Sequence, residues 1–337
     1  KHTLQFKFEA GTSRGVLTAH DVYYLKIRDT NYPEIYGIGE AAPLKGLSID
    51  YLPDFWDRLH SIFNSSDWTD TSLFNSLSSV KFAVETALFD LKNGGMKRIF
   101  DTPFYTGKLK IPINGLVWMG DKTTMRQRIK EKIEEGFTTI KLKIGAINFD
   151  EEIDLIKEIR KEFSAKEIQI RVDANGAFQP DEALEKLNIL SQLDIHSIEQ
   201  PIKQGNEDTM AMLCEKSSIA IALDEELIGL RNFSEKESLL NQIKPQYIIL
   251  KPTLLGGFEE TSEWINIAEN MEIGWWITSA LESNIGLNAI AQFTSTFKND
   301  LPQGLGTGSL YFNNINSPLF VEGGYIGYNP GINWNPV

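Results

Sequence analysis

The stretch TTIKLKIG at residues 138–145 has the alternation of a β-strand, with apolar side chains at Ile140, Leu142 and Ile144 and a lysine at each position between them. Because successive side chains of a strand point to opposite faces, Lys141 and Lys143 share one face. Like charges on one face repel each other. This strand therefore needs either acidic partners or a use for an ammonium group whose charge is destabilised.

The composition is that of an ordinary globular protein, with 337 residues of which 42% are hydrophobic and 23% are charged. This length accommodates one large α/β barrel and a smaller unit. With 33 Lys and Arg against 46 Asp and Glu, the net charge is −13. So large a negative charge argues against a nucleic-acid or anionic-membrane partner, and an anionic substrate must be attracted by local positive charge.

Cysteine usage and hydropathy indicate the compartment. The single cysteine, Cys214, excludes a disulfide framework and fits a reducing environment, which predicts a cytoplasmic protein. No apolar run in the sequence approaches the length of a bilayer-spanning helix. The sequence leaves open both the oligomeric state and whether a segment precedes Lys1.

Two patterns of secondary structure divide the chain. Residues 1–105 show strand-like stretches followed by helical ones, the order of an α+β unit, and predict an N-terminal capping domain. Residues 106–309 alternate strands and helices, which predicts a TIM-type (β/α)8 barrel of parallel strands. The last strand, GLGTG at residues 304–308, is weak, so a modified (β/α)7β barrel is the alternative. Residues 310–337 are expected to pack back on the capping domain.

One ionisable side chain lies near the carboxyl end of each of five successive barrel strands. They are Lys143, Asp173, Glu199, Asp224 and Lys251 on strands two to six, 25–30 residues apart. Each alone has a structural interpretation, because a lysine can be solvated or pair with an acid and an aspartate can cap the following helix. Five in succession, at the ends where barrel enzymes build their active sites, predict a site instead. Strands two and six of an eight-strand ring face each other across its mouth.

The three carboxylates of this set repel one another unless a cation lies among them. Oxygen ligands favour a hard ion, so the sequence predicts Mg²⁺ with Mn²⁺ as the alternative, and the lack of His and Cys at these strand ends disfavours zinc. Such an ion, bound to a substrate carboxylate, stabilises the charge that forms when the adjacent carbon loses its proton. Lys141 and the metal both disfavour the charged form of Lys143. Lys143 is therefore predicted to have a lowered pKa and to act as the base.

The order of short motifs along the barrel resembles the enolase superfamily and, within it, the muconate lactonizing enzyme subgroup. The motifs are Lys-x-Lys at Lys141 and Lys143, DANG at Asp173, EQP at Glu199, DE at Asp224 and Glu225, and LKP at Lys251. The resemblance covers nearly the whole chain, including GIGEAAPL at residues 37–44 of the capping domain. It implies that the three acids bind the metal with Asn175 and Glu225 behind them. It also implies acid–base or cation–π roles for Lys143 and Lys251.

The loop after the seventh strand narrows the resemblance. SALES at residues 279–283 resembles the o-succinylbenzoate synthase family of menaquinone biosynthesis, and GLGTGSLYF at residues 304–312 lacks the acids with which dipeptide epimerases hold a substrate ammonium. The implied reaction is the Mg²⁺-dependent dehydration of 2-succinyl-6-hydroxy-2,4-cyclohexadiene-1-carboxylate to 2-succinylbenzoate. In it Lys143 moves the proton, an enediolate forms, and Lys251 stabilises this intermediate. The alternatives are an N-acylamino acid racemase, a dipeptide epimerase, a muconate cycloisomerase and a non-catalytic scaffold.

Four further residues are predicted to contact a small-molecule carboxylate substrate. They are Ser279, Leu281, Glu282 and Arg14. The first three follow from the resemblance, whereas Arg14 lies in the loop GTSRG of the capping domain and would cover the mouth of the barrel. The alternative for Arg14 is a solvated side chain. Trp275 and Trp276 are expected to supply an apolar wall.

Overall fold

The N-terminal part of the chain forms a three-stranded antiparallel sheet with two helices after it. The computed structural model describes residues 1–12, 15–64, 71–145 and 148–336. The order of strands in the sheet follows the chain. The elements are β1 (His2–Thr12), β2 (Gly15–Asp29), β3 (Tyr32–Ala41), α1 (Phe55–Asn64) and α2 (Ser78–Lys92). This arrangement confirms the predicted α+β capping domain.

Two glycines let α2 lie directly against β3. A Cβ at Gly37 would lie 1.9 Å from the carbonyl oxygen of Ala87, and a Cβ at Gly39 would lie 1.9 Å from that of Ala83. No side chain fits at such distances, so the contact requires glycine. Glu40, which follows Gly39 in β3, is thereby held at the boundary between the capping domain and the barrel.

The central part of the chain forms a curled sheet of seven parallel strands, which follow one another in chain order. The two-residue strand β4 (Ile111–Pro112) precedes them. The seven are β5 (Gly115–Val117), β6 (Thr139–Lys143), β7 (Gln169–Asp173), β8 (Ser197–Glu199), β9 (Ala220–Leu223), β10 (Tyr247–Leu250) and β11 (Gly274–Ile277). Most of their residues are buried, as in sheets that are covered on both faces.

Helices alternate with these strands and pack against them. They are α3 (Lys122–Glu134), α4 (Phe149–Glu162), α5 (Ala183–Leu190), α6 (Glu207–Lys216), α7 (Phe233–Ile243), α8 (Pro252–Leu255), α9 (Phe258–Asn270) and α10 (Asn284–Thr294). The largest apolar core lies between the two layers and includes Leu142 of β6 and Ile156 of α4. Within the described ranges, no helix combines the length and the hydropathy that crossing a bilayer requires.

Two residues, rather than a strand of ordinary length, occupy the eighth position of the barrel. Gln303 pairs with Ile113 and Gly304 pairs with Thr278, both in the parallel direction, so they link the first strand to the seventh. A Cβ at Gly304 would lie 2.4 Å from Thr278 Oγ1, so this close approach requires glycine. The (β/α)8 prediction is corrected to its stated alternative, because only seven strands of the described sheet are followed by helices.

The C-terminal residues contact both parts of the molecule. β12 (Leu319–Glu322) pairs with β13 (Tyr325–Tyr328), which in turn pairs with β4. Earlier in the tail, two residues bind β1 of the capping domain. Phe312 N donates to the carbonyl oxygen of Gln5 at 2.9 Å, and Asn313 Oδ1 accepts from Gln5 N at 2.8 Å. We propose the domain boundaries 1–105 and 106–309, with the start of the 310–337 tail bound to β1 and its hairpin bound to β4.

Candidate active site

The register of the parallel strands brings the predicted charges to one edge of the sheet. Lys143 at the end of β6 pairs with Asp173 at the end of β7, and Asp173 pairs with Glu199 at the end of β8. Asp224 and Lys251 directly follow β9 and β10. All five side chains are buried, so their charges interact more strongly than they would in water.

Lys141 links two of the carboxylates. Its Nζ lies 2.8 Å from Asp173 Oδ2 and 2.6 Å from Glu199 Oε2. Burial alone would lower the pKa of Lys141, but attraction to these two carboxylates outweighs burial and raises the pKa above its usual value. Lys141 therefore stays protonated and is a fixed positive charge beside Lys143.

Lys143 is the lysine whose charge is destabilised. Its Nζ donates to Asp173 Oδ2 at 2.5 Å and to Asn175 Oδ1 at 2.8 Å. Burial lowers the pKa of Lys143, the nearby charges of Lys141 and Lys251 lower it further, and attraction to Asp173 compensates only in part. The direction agrees with the expectation from the Lys-x-Lys motif, but burial is a larger cause than Lys141.

Asn175 connects the lysine to a further acid. Its backbone N donates to Asp173 Oδ1 at 2.9 Å, and its side-chain Nδ2 donates to Glu225 Oε1 at 3.1 Å. The backbone of Asn175 has a φ of +46°, a left-handed conformation that asparagine tolerates better than most residues. A buried hydrogen-bonded chain thus runs from Lys143 through Asn175 to Glu225.

Lys251 approaches the carboxylates from another strand. Its Nζ donates to Asp224 Oδ2 and lies 4.0 Å from Glu199 Oε1. Burial opposes the charge of Lys251, but attraction to Asp224 and Glu199 outweighs burial and raises its pKa. The two strand-end lysines therefore differ: the ammonium form is disfavoured at Lys143 and favoured at Lys251.

The three predicted metal ligands offer a donor set that suits a hard cation. Among the described residues, no three Asp, Glu, His or Cys side chains form a metal-binding group, and Lys141 and Lys251 pair with the carboxylates instead. Glu199 Oε1 is buried and has no hydrogen-bond partner. Burial, followed by repulsion from Asp173 and Asp224, raises the pKa of Glu199 to about 7. An unsatisfied buried oxygen beside two more carboxylates fits Mg²⁺.

A cavity of about 280 Å³ lies where the carboxyl ends of the strands meet the capping domain. Its lysines are Lys45, Lys141, Lys143 and Lys251. Its large apolar side chains are Leu17, Leu44 and Leu47 of the capping domain and Leu116, Trp118 and Leu281 of the barrel. Among the described residues that line it there is no Asp or Glu. The lining is therefore suited to a partly apolar anion.

The residues predicted to contact the substrate fall in three different places. Ser279 and Leu281 line the cavity. Glu282 is not brought to the cavity, because its carboxylate is fully buried behind the wall and accepts a hydrogen bond from Ala280 N at 2.8 Å. Arg14 lies outside the described residues.

The predicted apolar wall of Trp275 and Trp276 is wrong. Trp276 stacks on the buried guanidinium of Arg171, which lies 3.9 Å from the ring centroid. Trp275 packs against Phe297, with ring centroids 5.4 Å apart. The two side chains face opposite sides of the sheet, because they are adjacent in a strand. Both residues also precede the carboxyl end of β11, and neither lines the cavity.

Four polar residues of the lining were missed by reasoning from the sequence. They are Lys45, Asn114, Thr278 and Thr307. A search of the carboxyl ends of the strands for uncharged polar side chains would have found Thr278, which follows β11, but not Asn114, which precedes β5. Lys45 follows GIGEAAPL in the capping domain, and no sequence signal tells which side of the barrel that loop meets.

Proteins of known family match this chain over most of its length. The enolase C-terminal domain-like family matches residues 124–332. An o-succinylbenzoate synthase from Desulfotalea psychrophila is 44% identical over 96% of each chain. An L-Ala-D/L-Glu epimerase from Francisella tularensis subsp. novicida is 29% identical over 76% of this chain and 75% of its own. The crystal structure of MenC from Desulfotalea psychrophila has a TM-score of 0.84 at 41% identity and covers 97% of each chain. The chain belongs to the enolase superfamily.

Proposed function

We propose that the protein is an o-succinylbenzoate synthase, a lyase that dehydrates 2-succinyl-6-hydroxy-2,4-cyclohexadiene-1-carboxylate to 2-succinylbenzoate and water. The relative from Desulfotalea psychrophila supports this proposal, because it bears that name and matches over nearly its whole length. The structural observation that carries the proposal is the cavity lining, which has four lysines and, among its described residues, no carboxylate. A role in menaquinone biosynthesis in the cytoplasm is part of the same proposal.

The charge of the lining favours a substrate with two carboxylates. A chain with a net charge of −13 repels anions at long range, so the charged lysines of the lining, Lys45, Lys141 and Lys251, provide the local attraction. A dipeptide carries an ammonium group, which would meet lysines and no acid in the described lining. The lining therefore disfavours a dipeptide epimerase.

In the proposed reaction Lys143 moves the proton. Its Nζ, whose pKa is lowered by burial, takes the proton from the ring carbon that bears the carboxylate. The electron pair left on carbon is first shared with the carboxylate, as an enediolate, and then forms a ring double bond as the neighbouring C–OH bond breaks. Lys143 then gives its proton to the leaving hydroxide, so water departs, the ring becomes aromatic and the lysine returns to its neutral form.

Lys251 has the complementary role. Its pKa is raised by Asp224 and Glu199 despite burial, so it stays charged. A fixed ammonium group beside the reacting ring stabilises the negative charge that spreads over the ring and its carboxylate. Asp224 keeps this ammonium group in place through its hydrogen bond.

The residues that would hold the metal are Asp173, Glu199 and Asp224. When bound there, Mg²⁺, or Mn²⁺ as the alternative, would supply positive charge for the substrate carboxylate next to the carbon that loses its proton. The unsatisfied Oε1 of Glu199 supports this assignment. Asn175, which lies between Lys143 and Glu225, would orient the lysine and the acid next to the metal ligands.

An N-acylamino acid racemase is the second candidate. The observation that favours it is that Lys143 ends β6 whereas Lys251 follows β10. Each lysine can therefore reach a different face of a substrate. A racemase uses both lysines as bases and needs no leaving group. The raised pKa of Lys251 counts against this role.

Steady-state kinetics with the dehydration substrate and Mg²⁺ test the proposal. We expect kcat/KM on the order of 10⁴ M⁻¹s⁻¹ or more, and we expect a chelator to abolish turnover until Mg²⁺ is restored. Lys143→Ala should lose both dehydration and exchange of the α-proton with solvent deuterium. Lys251→Ala should lose dehydration. Negligible dehydration together with efficient racemisation of an N-succinyl amino acid would overturn the assignment and leave the fold intact.

A further inference from the structure

Glu40 of the capping domain is a buried carboxylate that the proposed chemistry does not use. It lies near the end of β3, which is fixed by the contact of Gly37 and Gly39 with α2. Its carboxylate reaches the barrel. Oε1 accepts from Ser283 N at 2.7 Å, and Oε2 accepts from Ser283 Oγ at 2.5 Å and from Gly286 N at 2.8 Å.

The barrel groups that meet Glu40 belong to the first turn of α10. Amides in the first turn of a helix have no partner within the helix, and the helix dipole favours a negative charge there. Ser283 is the residue that caps this turn, because its Oγ accepts from Ile285 N at 3.2 Å. A Cβ at Gly286 would lie 3.2 Å from Glu40 Oε2 and 2.7 Å from Glu282 Cβ, so glycine allows the carboxylate to approach.

The same turn directly follows a segment that forms one wall of the cavity. Residues 278–281 line the cavity, and Leu281 has a φ of +72°, an unfavourable conformation for leucine that its surroundings must maintain. Tyr311 Oη donates to the carbonyl oxygen of Leu281 at 2.6 Å. Glu40 holds the chain two residues further on, at Ser283.

We propose that Glu40 is a positioning residue that holds the first turn of α10 and, through it, the 278–281 wall, so that substrate affinity depends on the contact between the capping domain and the barrel. The proposal rests on the proposed function, because it assigns this wall to substrate binding. Glu40 does not line the cavity and takes no part in proton transfer. Its effect is expected on KM rather than on kcat.

The cost of burying Glu40 supports a role beyond packing. Burial raises the pKa of Glu40 to about 7, although the hydrogen bonds from Ser283 and Gly286 oppose this, and Glu282 adds repulsion. Tyr24, which donates to Ser283 Oγ at 3.1 Å, and Tyr311 are the other titratable groups that face this region. An apolar side chain would fill this position without the cost of burying a charge.

Kinetics of Glu40→Gln test the proposal against a matched control. Glu85→Gln changes a half-buried carboxylate of the capping domain, which accepts from Phe258 N in the first turn of α9 at 2.5 Å and does not line the cavity. At a temperature where both variants are folded, Glu40→Gln should raise KM at least fivefold and change kcat less than twofold. Glu85→Gln should change neither more than twofold.

Hydrogen exchange provides a readout that needs no substrate. In Glu40→Gln the amides of Ser283 and Gly286 should exchange at least tenfold faster than in the wild type, because the amide group of glutamine cannot accept all three hydrogen bonds. Glu85→Gln should leave both rates unchanged. If Glu40→Gln fails to fold, Ser283→Ala is the second variant. It removes one donor to Glu40 from the barrel side and should also raise KM.

The outcomes separate this proposal from the proposed function. An unchanged KM in Glu40→Gln, or the same increase in Glu85→Gln, overturns the positioning role. A wild-type protein without dehydratase activity overturns the proposed function. In that case the Ser283 and Gly286 amides should still exchange faster in Glu40→Gln but not in Glu85→Gln, which would support the proposal that Glu40 holds the first turn of α10. Unchanged exchange in Glu40→Gln would reject it.

Discussion

Lys143 and Lys251 occupy equivalent positions at strand ends, yet their pKa values shift in opposite directions. The sequence explains part of the difference, because the residue two positions earlier is Lys141 on one strand and Ile249 on the other. Side chains two apart share a face, so Lys143 has a cation next to it and Lys251 has an apolar neighbour. The pKa of Lys143 is lowered, first by burial, and that of Lys251 is raised. Lys141 thus adds to the effect of burial at Lys143, whereas Asp224 and Glu199 keep Lys251 charged.

Lys45 is expected to contribute to substrate affinity without a role in the chemistry. It is exposed and lines the cavity on the side of the capping domain. An exposed lysine paired with a carboxylate contributes about 1 kcal/mol, so Lys45→Ala should raise KM for the dianionic substrate about fivefold at constant kcat. Lys45→Arg should keep the wild-type KM. The increase should shrink in high salt, which screens exposed charges.

Lys7→Ala is the control for that variant, because Lys7 is exposed on β1 and does not line the cavity. Both variants remove one positive charge from the capping domain. An equal increase of KM in both would show that net charge, and not the position of Lys45, attracts the substrate.

The contact of β3 with α2 is the element-scale feature that fixes the capping domain. Gly39→Ala would add a Cβ 1.9 Å from the carbonyl oxygen of Ala83, so the helix and the strand must separate. We expect the free energy of unfolding, measured by urea denaturation, to fall by about 3 kcal/mol. In Gly306→Ala the new Cβ has an ordinary contact of 3.5 Å, and stability should change by less than about 1 kcal/mol. Similar losses in both variants would contradict this explanation.

Elements with a strong local pattern could be predicted from the sequence, and elements defined by distant contacts could not. Strand–helix alternation placed the strand ends, so Asp173 and Glu199 could be predicted to lie together. The eighth position could not be assigned, because Gln303 and Gly304 are held by pairing with the first and seventh strands rather than by their own strand propensity. Which Trp of β11 faces inward likewise depends on its register, which the pair of adjacent tryptophans does not reveal.

At the scale of the whole molecule, two carboxylates of the capping domain, one buried and one half-buried, bind the first turns of two barrel helices. Glu40 accepts from Ser283 and Gly286 at α10, and Glu85 accepts from Phe258 at α9. The capping domain also supplies part of the cavity lining. The docking of the two parts therefore completes the candidate site, and this is why the capping residues of the lining could not be recognised in the sequence.

The burial of Glu85 predicts that stability falls as the pH rises from about 4.5 towards 7. Burial raises the pKa of Glu85 to about 7 from an ordinary value of 4.5, Phe258 N and Lys81 oppose the shift, and Glu259 adds to it. Between these two values the unfolded chain loses a proton that the folded protein keeps. The contribution is therefore fully present below pH 4.5 and is lost as the pH rises towards 7.

Urea unfolding of Glu85→Gln measures this contribution, because glutamine does not titrate. From pH 4.5 to 7.5 the wild type should lose on the order of 1–3 kcal/mol more stability than Glu85→Gln. Glu9→Gln, at an exposed position of β1, should keep the wild-type slope. If the wild type and Glu85→Gln had the same slope, Glu85 would be ionised in the folded protein at the same pH as in the unfolded chain. Its carboxylate would then gain as much from Phe258 N and Lys81 as it loses on burial.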